Sequence, residues 1–203
     1  MKRAGLFVIL ILVGFGQLPA QNADINLLKN INLHRNRSLD PAFKFISNSV
    51  TPLSIAVPIG AITCAIVRKD SAGISNAIVL SSAAIVVSLV TTSIKYSVNR
   101  PRPYTTWSFI DHVTSMGSPS FPSGHTSQAF ALATSLSIAY PKWYVITPSF
   151  LWAAAVGYSR MDLGVHYPSD VAAGALVGAG SAFLSYEMNR LLFHKHFKKE
   201  VTQ

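Results

Sequence analysis

The sequence predicts an all-α protein, a polytopic bundle of five or six transmembrane helices. Half of its 203 residues are hydrophobic and only 12% are charged, and the mean hydropathy is +0.36, values typical of membrane proteins. The apolar stretches 78–94 and 171–186 offer no polar face beyond Ser, Thr and Gly. Because a soluble helix needs a polar face, a soluble helical bundle is the less favoured alternative.

The first twenty residues have the pattern of a targeting segment. A basic N-terminus precedes an apolar run over 6–15, and a cut after Ala20 would complete a secretory signal peptide. Leu18 is larger than the residue usual near such a cut, so an uncleaved first membrane helix remains the alternative. In both cases the rest of the chain, residues 21–203, is predicted to form a single domain.

The chain over 22–50 is the longest region of mixed polarity. Ile25, Leu28 and Ile31 fall on one helical stripe beside basic residues, which suits a helix lying on the membrane surface. An amphipathic helix packed on the rest of the domain explains the stripe equally well, and both alternatives stay open. The Asp-Pro pair at 40–41 is typical of a helix start and predicts a second, short helix.

Five apolar segments follow and are predicted to be helices: 51–67, 71–94, 123–140, 143–159 and 171–186. Several are close to the lower limit of a bilayer span, about 20 residues. Gly174 and Gly178 form a small-xxx-small pair that favours close packing against another helix. Basic residues in the connections alternate so that both chain ends lie on the cytoplasmic side.

The opposite, outer side then receives the segments 95–124 and 159–170. Positive residues normally favour the cytoplasmic side, yet both segments are basic. They carry four cations: Lys95, Arg100, Arg102 and Arg160. Cations on the disfavoured side indicate a function there, and binding an anion is the function that they suit.

Each of three short segments on this side adjoins an apolar helix, and together they supply the candidate site: Lys95 to Pro103, Phe121 to Thr126, and Ser159 to Asp170. Ser123 and Gly124 at a helix start would present unpaired backbone N–H groups to an oxyanion. Pro168 suits the first position of a helix, which places His166 just before that helix and Asp170 in its first turn. Such an Asp can hold the imidazole in one tautomer and leave its other nitrogen free as a nucleophile or base.

A metal is the rival use of two histidines and an aspartate. Three cations beside these ligands would repel a divalent ion, so we expect no metal and no cofactor. Nucleic acid is not expected as a partner either, because the basic residues are scattered between apolar runs. The single cysteine, Cys64, makes no internal disulfide and is expected to be buried and inert.

Together the three segments resemble the signature of the type 2 phosphatidic acid phosphatase (PAP2) family, which is related to the vanadium haloperoxidases. The family pattern is Lys, six residues and Arg-Pro, then Pro-Ser-Gly-His, then Ser-Arg, five residues, His, three residues and Asp. This chain matches it without departure in identity or spacing, at Lys95…Arg102-Pro103, Pro122-Ser123-Gly124-His125 and Ser159-Arg160…His166…Asp170. The surrounding apolar segments are similar to the membrane branch of the family.

The resemblance implies a role for each matched residue. His166 is expected to take the phosphoryl group as a phosphohistidine, and Asp170 to orient it. His125 is expected to protonate the leaving group and then to activate water. The implied phosphate-binding residues are Lys95, Arg102, Ser123, Gly124 and Arg160. Arg100, His112 and Asp162 lie near the motifs but outside the pattern, and we expect them to act in the loops or the fold.

The implied function is an integral-membrane phosphatase of a lipid-linked phosphate monoester or diphosphate, with its site on the periplasmic face of a bacterial inner membrane. Undecaprenyl diphosphate, lipid A phosphate, phosphatidylglycerophosphate and phosphatidic acid are the candidate substrates, and the sequence leaves the choice open. A secreted soluble acid phosphatase or haloperoxidase with the same site is one alternative. A catalytically inactive member that binds or transports lipid is another.

Overall fold

The computed structural model describes the backbone of residues 19–200 and the side chains of residues 22–191. This part of the chain contains eight α-helices, a single 3₁₀ turn at Arg37–Leu39, and no strand. The helices are α1 Pro19–Leu33, α2 Asp40–Asn48, α3 Val50–Val67, α4 Ser71–Val98, α5 Pro103–Thr106, α6 Gly124–Ala139, α7 Trp143–Asp162 and α8 Pro168–Glu200. The predicted all-α class is confirmed. The predicted leader lies, up to residue 18, outside the described residues and stays a prediction.

All five apolar segments that the sequence predicted to be helical are helices, namely α3, α4, α6, α7 and α8. Three stretches of the described chain are long and apolar enough to cross a bilayer: Arg37–Val67, Ser71–Thr106 and Pro168–Leu191. Large apolar side chains such as Ile59, Ile85 and Leu176 point outward from them. Lipid tails rather than water are the natural surroundings of such a surface.

Helix α6 lies at the centre of the bundle, where it packs against α8, α7 and α4. Its contact with α8 is unusually close because of the two glycines predicted to favour it. A Cβ at Gly174 would lie 2.8 Å from the carbonyl oxygen of Ser123, and one at Gly178 would overlap the carbonyl oxygen of Ser127. Small residues that let backbones approach are a common device of helix packing in membranes.

Helix α1 packs on the rest of the domain, which is the second of the two alternatives for this region. Ile25 and Leu28 are buried in a small apolar cluster with Ile110 and Tyr167. The amide of Asn32 donates to the backbone carbonyls of residues 111 and 162, at 2.8 and 2.9 Å. The apolar stripe of α1 therefore faces protein, and α1 is fixed next to the segment that precedes α8.

Three helices extend beyond the apolar runs that predicted them. Helix α4 continues to Val98, so that Lys95 lies in the last turn of the helix. Asn99 caps this end with a left-handed φ of 47°. Helix α7 includes Arg160, and α8 begins at Pro168, three residues before its apolar run. Charged motif residues are thus carried on rigid helix ends, where the packing of the bundle determines their positions.

We expect the α6–α8 contact to tolerate no added atom at Gly178. Gly178→Ala places a methyl group against the backbone of α6, and overpacking of this kind costs about 1–3 kcal/mol. The thermal midpoint of the detergent-solubilised protein should fall by several degrees.

Gly180→Ala is the matched control, since nothing lies within 4 Å of a Cβ at Gly180. This variant gains an alanine at an open position of the same helix. The thermal midpoint of the variant protein should therefore stay the same or rise slightly. Equal midpoints for both variants would contradict the close approach of α6 and α8.

Candidate active site

His166 and Asp170 form a hydrogen-bonded pair where α8 begins. His166 is buried in the connection between α7 and α8, and its Nδ1 lies 3.3 Å from Oδ2 of Asp170. Its Nε2 lies 3.2 Å from Nη1 of Arg102. Because a guanidinium can only donate, this contact assigns the lone pair to Nε2 and the ring proton to Nδ1. The unprotonated nitrogen therefore points away from Asp170 and toward the basic residues.

Burial, together with the smaller effect of the charges of Arg102 and Arg160, lowers the pKa of His166 to about 3, although the bond to Asp170 opposes the shift. A group with a lowered pKa loses its proton at a lower pH than usual, so the imidazole is neutral throughout the neutral range. A neutral ring with one fixed tautomer is the form that can act as a nucleophile or a base.

Four groups hold the wholly buried Asp170 carboxylate. Its Oδ1 accepts from Nη1 of Arg100 at 2.7 Å, and its Oδ2 accepts from the hydroxyl of Ser120 at 2.5 Å and the backbone N–H of Tyr167 at 3.0 Å, besides His166. The backbone carbonyl of Asp170 also accepts from the N–H of Ser123 at 3.0 Å. This last bond joins the start of α8 to the start of α6.

Three cations of the site are buried without a counter-charge. Lys95, Arg102 and Arg160 are 8%, 5% and 1% exposed, and none has a carboxylate within 4.0 Å in the described part of the chain. The carboxylate of Asp170 is occupied by Arg100 and His166 instead. Since buried charges are normally paired, these three cations lack the anionic partner that would be expected.

Arg160 has unused donors as well as unpaired charge. Its Nη1 donates to the hydroxyl of Ser47 on α2, while its Nε and Nη2 are buried without any hydrogen-bond partner in the described chain. An unsatisfied buried donor costs about 1–3 kcal/mol. Two such donors on one planar guanidinium match the edge of a tetrahedral oxyanion.

The chain just before α6 orients the other two cations. Lys95 Nζ donates to the carbonyl of Pro119 at 2.6 Å. Arg102 donates through Nε to the carbonyl of Ser118 at 2.8 Å and through Nη1 to that of Val165 at 2.9 Å. These bonds fix both side chains without neutralising them, because a carbonyl carries no net charge.

The start of α6 completes the site with a hydroxyl, a bare backbone and an imidazole. Ser123 occupies the N-cap position, but its hydroxyl makes no capping bond and accepts from Thr126 at 2.9 Å. A Cβ at Gly124 would stand 3.7 Å from Cε of Lys95, so the glycine keeps space open beside the ammonium group. His125 is partly buried among the three cations, and its ring bonds to none of the described residues.

The eight residues to which the resemblance assigns a role are therefore brought together. Sequence analysis missed four further residues that hold them, namely Asp24, Ser47, Arg100 and Ser120. Arg100 had a visible signal, a charge in the basic segment, but was expected to act in the loops or the fold. The other two residues set aside with it have such structural contacts: His112 stacks on Tyr104 at 4.3 Å, and the carbonyl of Asp162 accepts from Asn32.

Among the described residues, no group of three or more histidines, cysteines or acidic residues is placed to hold a metal ion. Cys64, which the sequence predicted to be buried, is exposed on α3. The prediction was wrong because an apolar run in a membrane helix faces lipid as well as protein.

Comparison with known proteins gives the family. The family model described as the PAP2 superfamily matches residues 76–194. An undecaprenyl-diphosphatase from Sulfolobus acidocaldarius is 30% identical over 171 residues, which cover 81% of this chain and 78% of that protein. A lipid A 4′-phosphatase from Bacteroides thetaiotaomicron is 39% identical over 66 residues, but the match spans only 29% of its length.

Two crystal structures share the fold over most of the chain. LpxE from Aquifex aeolicus has a TM-score of 0.72 and 30% identity, covering 81% of this chain and 95% of that one. The first transmembrane PAP2 type phosphatidylglycerolphosphate phosphatase from Bacillus subtilis has a TM-score of 0.71 and 25% identity, covering 91% and 93%. The protein is helical and membrane-embedded, and the relatives described above are lipid phosphatases. The chain therefore belongs to the PAP2 superfamily.

Proposed function

We propose that the protein hydrolyses the phosphate monoester or diphosphate of a membrane lipid through a phosphohistidine intermediate. The observation that carries this proposal is the set of three buried cations without a carboxylate partner, Lys95, Arg102 and Arg160. One of them, Arg102, contacts the unprotonated Nε2 of His166. A phosphate group supplies the missing negative charge and presents an electrophilic phosphorus to that nitrogen.

The bound phosphate would satisfy donors that the protein leaves open. Nε and Nη2 of Arg160 have no partner, and Lys95 keeps one of its three N–H groups after its two carbonyl contacts. The Ser123 hydroxyl and the N–H of Gly124 at the start of α6 add neutral donors. Such fixed donors stabilise the charge that phosphoryl transfer places on the equatorial oxygens.

In the first step Nε2 of His166 attacks phosphorus, and the bond from phosphorus to the leaving oxygen breaks. Arg102 must then release Nε2 and turn Nη1 to a phosphate oxygen. Asp170 stabilises the positive charge that the ring acquires, through the Nδ1 proton. The negative charge of the bound phosphate offsets the three cations around His125, so its imidazole can carry a proton. His125 gives this proton to the leaving oxygen, which departs as the lipid alcohol or the lipid monophosphate.

In the second step a water molecule attacks the phosphohistidine. His125, now neutral, accepts a proton from this water as the new P–O bond forms and the P–N bond breaks. Inorganic phosphate leaves, and His166 returns to its neutral tautomer. Every proton lost by His125 in the first step is recovered in the second.

We infer a lipid substrate from where the site lies. Lys95 lies in the last turn of α4 and Asp170 in the first turn of α8, at the ends of two apolar helices. A headgroup can therefore enter at the membrane surface while its chains stay in the bilayer. Two relatives are named for lipid A and for undecaprenyl diphosphate, and these two are the candidates that we favour over phosphatidylglycerophosphate and phosphatidic acid. The proposed location is a bacterial inner membrane, with the site on the periplasmic side.

His166→Ala should lower phosphate release at least about 1,000-fold, because it removes the proposed nucleophile. The measurement uses the full chain in detergent with undecaprenyl diphosphate, lipid A, phosphatidylglycerophosphate, phosphatidic acid and a soluble phosphate ester. A ³²P-labelled substrate should leave an acid-labile, base-stable label on the wild type and none on the variant. Wild-type rates in the variant, with correct folding shown by its thermal midpoint, would refute the nucleophile assignment.

Chelation should leave the rate unchanged. We propose that Lys95, Arg102 and Arg160 supply the positive charge that a divalent metal supplies in other phosphatases. Phosphate release is measured after dialysis against EDTA and again after Mg²⁺, Mn²⁺ or Zn²⁺ is returned. A rate that falls with EDTA and recovers with one of these ions would mean that the site uses a metal.

Arg160→Met should abolish phosphate binding without destabilising the protein. The variant removes a buried charge that has no carboxylate, so the thermal midpoint without ligand should stay the same or rise. Orthovanadate, an analogue of the transferred phosphoryl group, should raise the midpoint of the wild type but not that of the variant.

Arg35→Met is the matched control for this experiment. The Arg35 side chain is also buried, at 3% exposure, but it pairs with Asp40 and Asp111. Its loss leaves carboxylates without their partner, so the midpoint should fall while the shift caused by vanadate persists. A large loss of stability in Arg160→Met would show that its charge is compensated within the protein.

A further inference from the structure

We propose that Arg100 is a positioning residue that acts on the Asp170–His166 pair and not on the phosphate, and that Asp24 of α1 completes this function. The inference rests on the function proposed above. Neither residue belongs to the motifs that define the site. Their contacts form a second layer of charge behind the imidazole, on the side opposite to the phosphate-binding cations.

The guanidinium of Arg100 is turned toward two carboxylates. Its Nη1 donates to Oδ1 of Asp170 at 2.7 Å and to the hydroxyl of Ser169 at 2.7 Å, and its Nη2 donates to Oδ2 of Asp24 at 2.8 Å. The ring of Tyr167 covers one face of the group, with its centroid 3.8 Å from Cζ. Arg102, two residues later, contacts the opposite nitrogen of the same imidazole.

Asp24 also fixes the first turn of α8. Its Oδ1 accepts from the backbone N–H of Ser169 at 2.8 Å, and its Oδ2 accepts from the hydroxyl of Ser169 at 2.5 Å. A carboxylate at a helix start satisfies an orphan N–H and interacts favourably with the helix dipole. Since Asp170 is the next residue, Asp24 holds the backbone that carries the catalytic carboxylate.

These contacts give the two carboxylate oxygens of Asp170 different hydrogen-bond partners. Arg100 holds Oδ1, which leaves Oδ2 for the Nδ1 proton of His166, the Ser120 hydroxyl and the backbone. With both oxygens held, the carboxylate cannot rotate, and the imidazole keeps the tautomer that leaves Nε2 free. Loss of Arg100 would release Oδ1 and allow the tautomer to change.

Besides holding the backbone of α8, Asp24 adds a negative charge next to the Asp170–Arg100 pair. Asp170 and Arg100 together carry no net charge, so this pair on its own would stabilise an imidazolium only weakly. With Asp24, two carboxylates share one guanidinium, and the group carries a net charge of about −1. That charge faces the Nδ1 side of His166, where it stabilises the ring as the ring becomes positive.

The test compares Arg100→Gln, Asp24→Asn and Arg102→Lys in the full chain, with the best lipid substrate of the wild type and with orthovanadate as inhibitor. We expect Arg100→Gln and Asp24→Asn to lower kcat by about 10- to 100-fold, the usual effect of losing an orienting partner. Their KM and their inhibition by vanadate should change less than about twofold. Arg102→Lys should weaken vanadate inhibition by more than tenfold, since Arg102 is proposed to bind the phosphate.

Arg35→Gln is the control for general damage to α1, because Arg35 anchors the region after α1 to Asp111 without reaching Asp170. Its kcat should stay within about twofold of the wild type at a temperature where all variants are folded. An equal fall of kcat in Asp24→Asn and Arg35→Gln would overturn the proposal, because α1 would then act only through the fold. Weak vanadate inhibition of Arg100→Gln, like that of Arg102→Lys, would overturn it too.

A spectroscopic measurement makes the proposal independent of turnover. In protein labelled with ¹⁵N-histidine, His166 of the wild type should show one tautomer with the proton on Nδ1, and Arg100→Gln should show a mixture. An unchanged His166 signal in this variant would overturn the positioning role. If the wild type hydrolyses no lipid, the proposed function fails. The ¹⁵N spectrum of Arg100→Gln then still shows whether Arg100 fixes the tautomer of His166 or leaves it unchanged.

Discussion

The structure depends on positive charge that is buried without a partner. Lys95, Arg102 and Arg160 are kept from water, and the protein gives them carbonyls and hydroxyls instead of carboxylates. An arrangement of this kind costs free energy in the empty protein. The rest of the bundle must supply that free energy, which makes the packing of α4, α6, α7 and α8 a condition for the site.

Helix packing also sets the geometry of the reaction. The bare backbones at Gly174 and Gly178 let α8 approach α6, and the N–H of Ser123 then reaches the carbonyl of Asp170. This contact joins the start of α6, where we propose that phosphate binds, to the residue whose carboxylate contacts His166. A looser α6–α8 contact would separate the donors from the nucleophile, and small displacements of that kind are costly in catalysis.

The sequence predicted the helices and the motif residues for reasons that are local. Apolar runs define spans, Pro168 marks a helix start, and a spacing of four residues places Asp170 against His166. The residues that hold the site from outside left no such signal. Asp24 is 76 positions from Arg100 and Ser47 is 113 from Arg160, so their pairing arises only when α1 and α2 pack on the bundle.

The C-terminal ends of α4 and α7 are a second feature of the structure that the sequence did not predict. The apolar runs stop before Lys95 and before Arg160, whereas α4 and α7 continue through both residues. Hydropathy assigns a charged residue to a loop because it assumes that charge seeks water. Here the charges turn inward to a polar site, and the helix continues with them. Lys95 and Arg160 are thus residues at which the apolar pattern gives the wrong boundary.

The two arginines on either side of His166 explain how one imidazole can be neutral before the proposed reaction and positive during it. In the empty site, burial and the nearby cations hold the pKa of His166 at about 3, so a proton does not block Nε2. In the proposed first step, a bound phosphate offsets the charge of those cations as the ring forms its bond to phosphorus. The group of Asp170, Arg100 and Asp24 then faces the new positive charge with a net charge of about −1. The field across the ring therefore changes when the substrate binds, and the proposed reaction asks these groups only for the turn of Arg102 from Nε2 to a phosphate oxygen. Charges that are otherwise held in place suit electrostatic catalysis by a preorganised site.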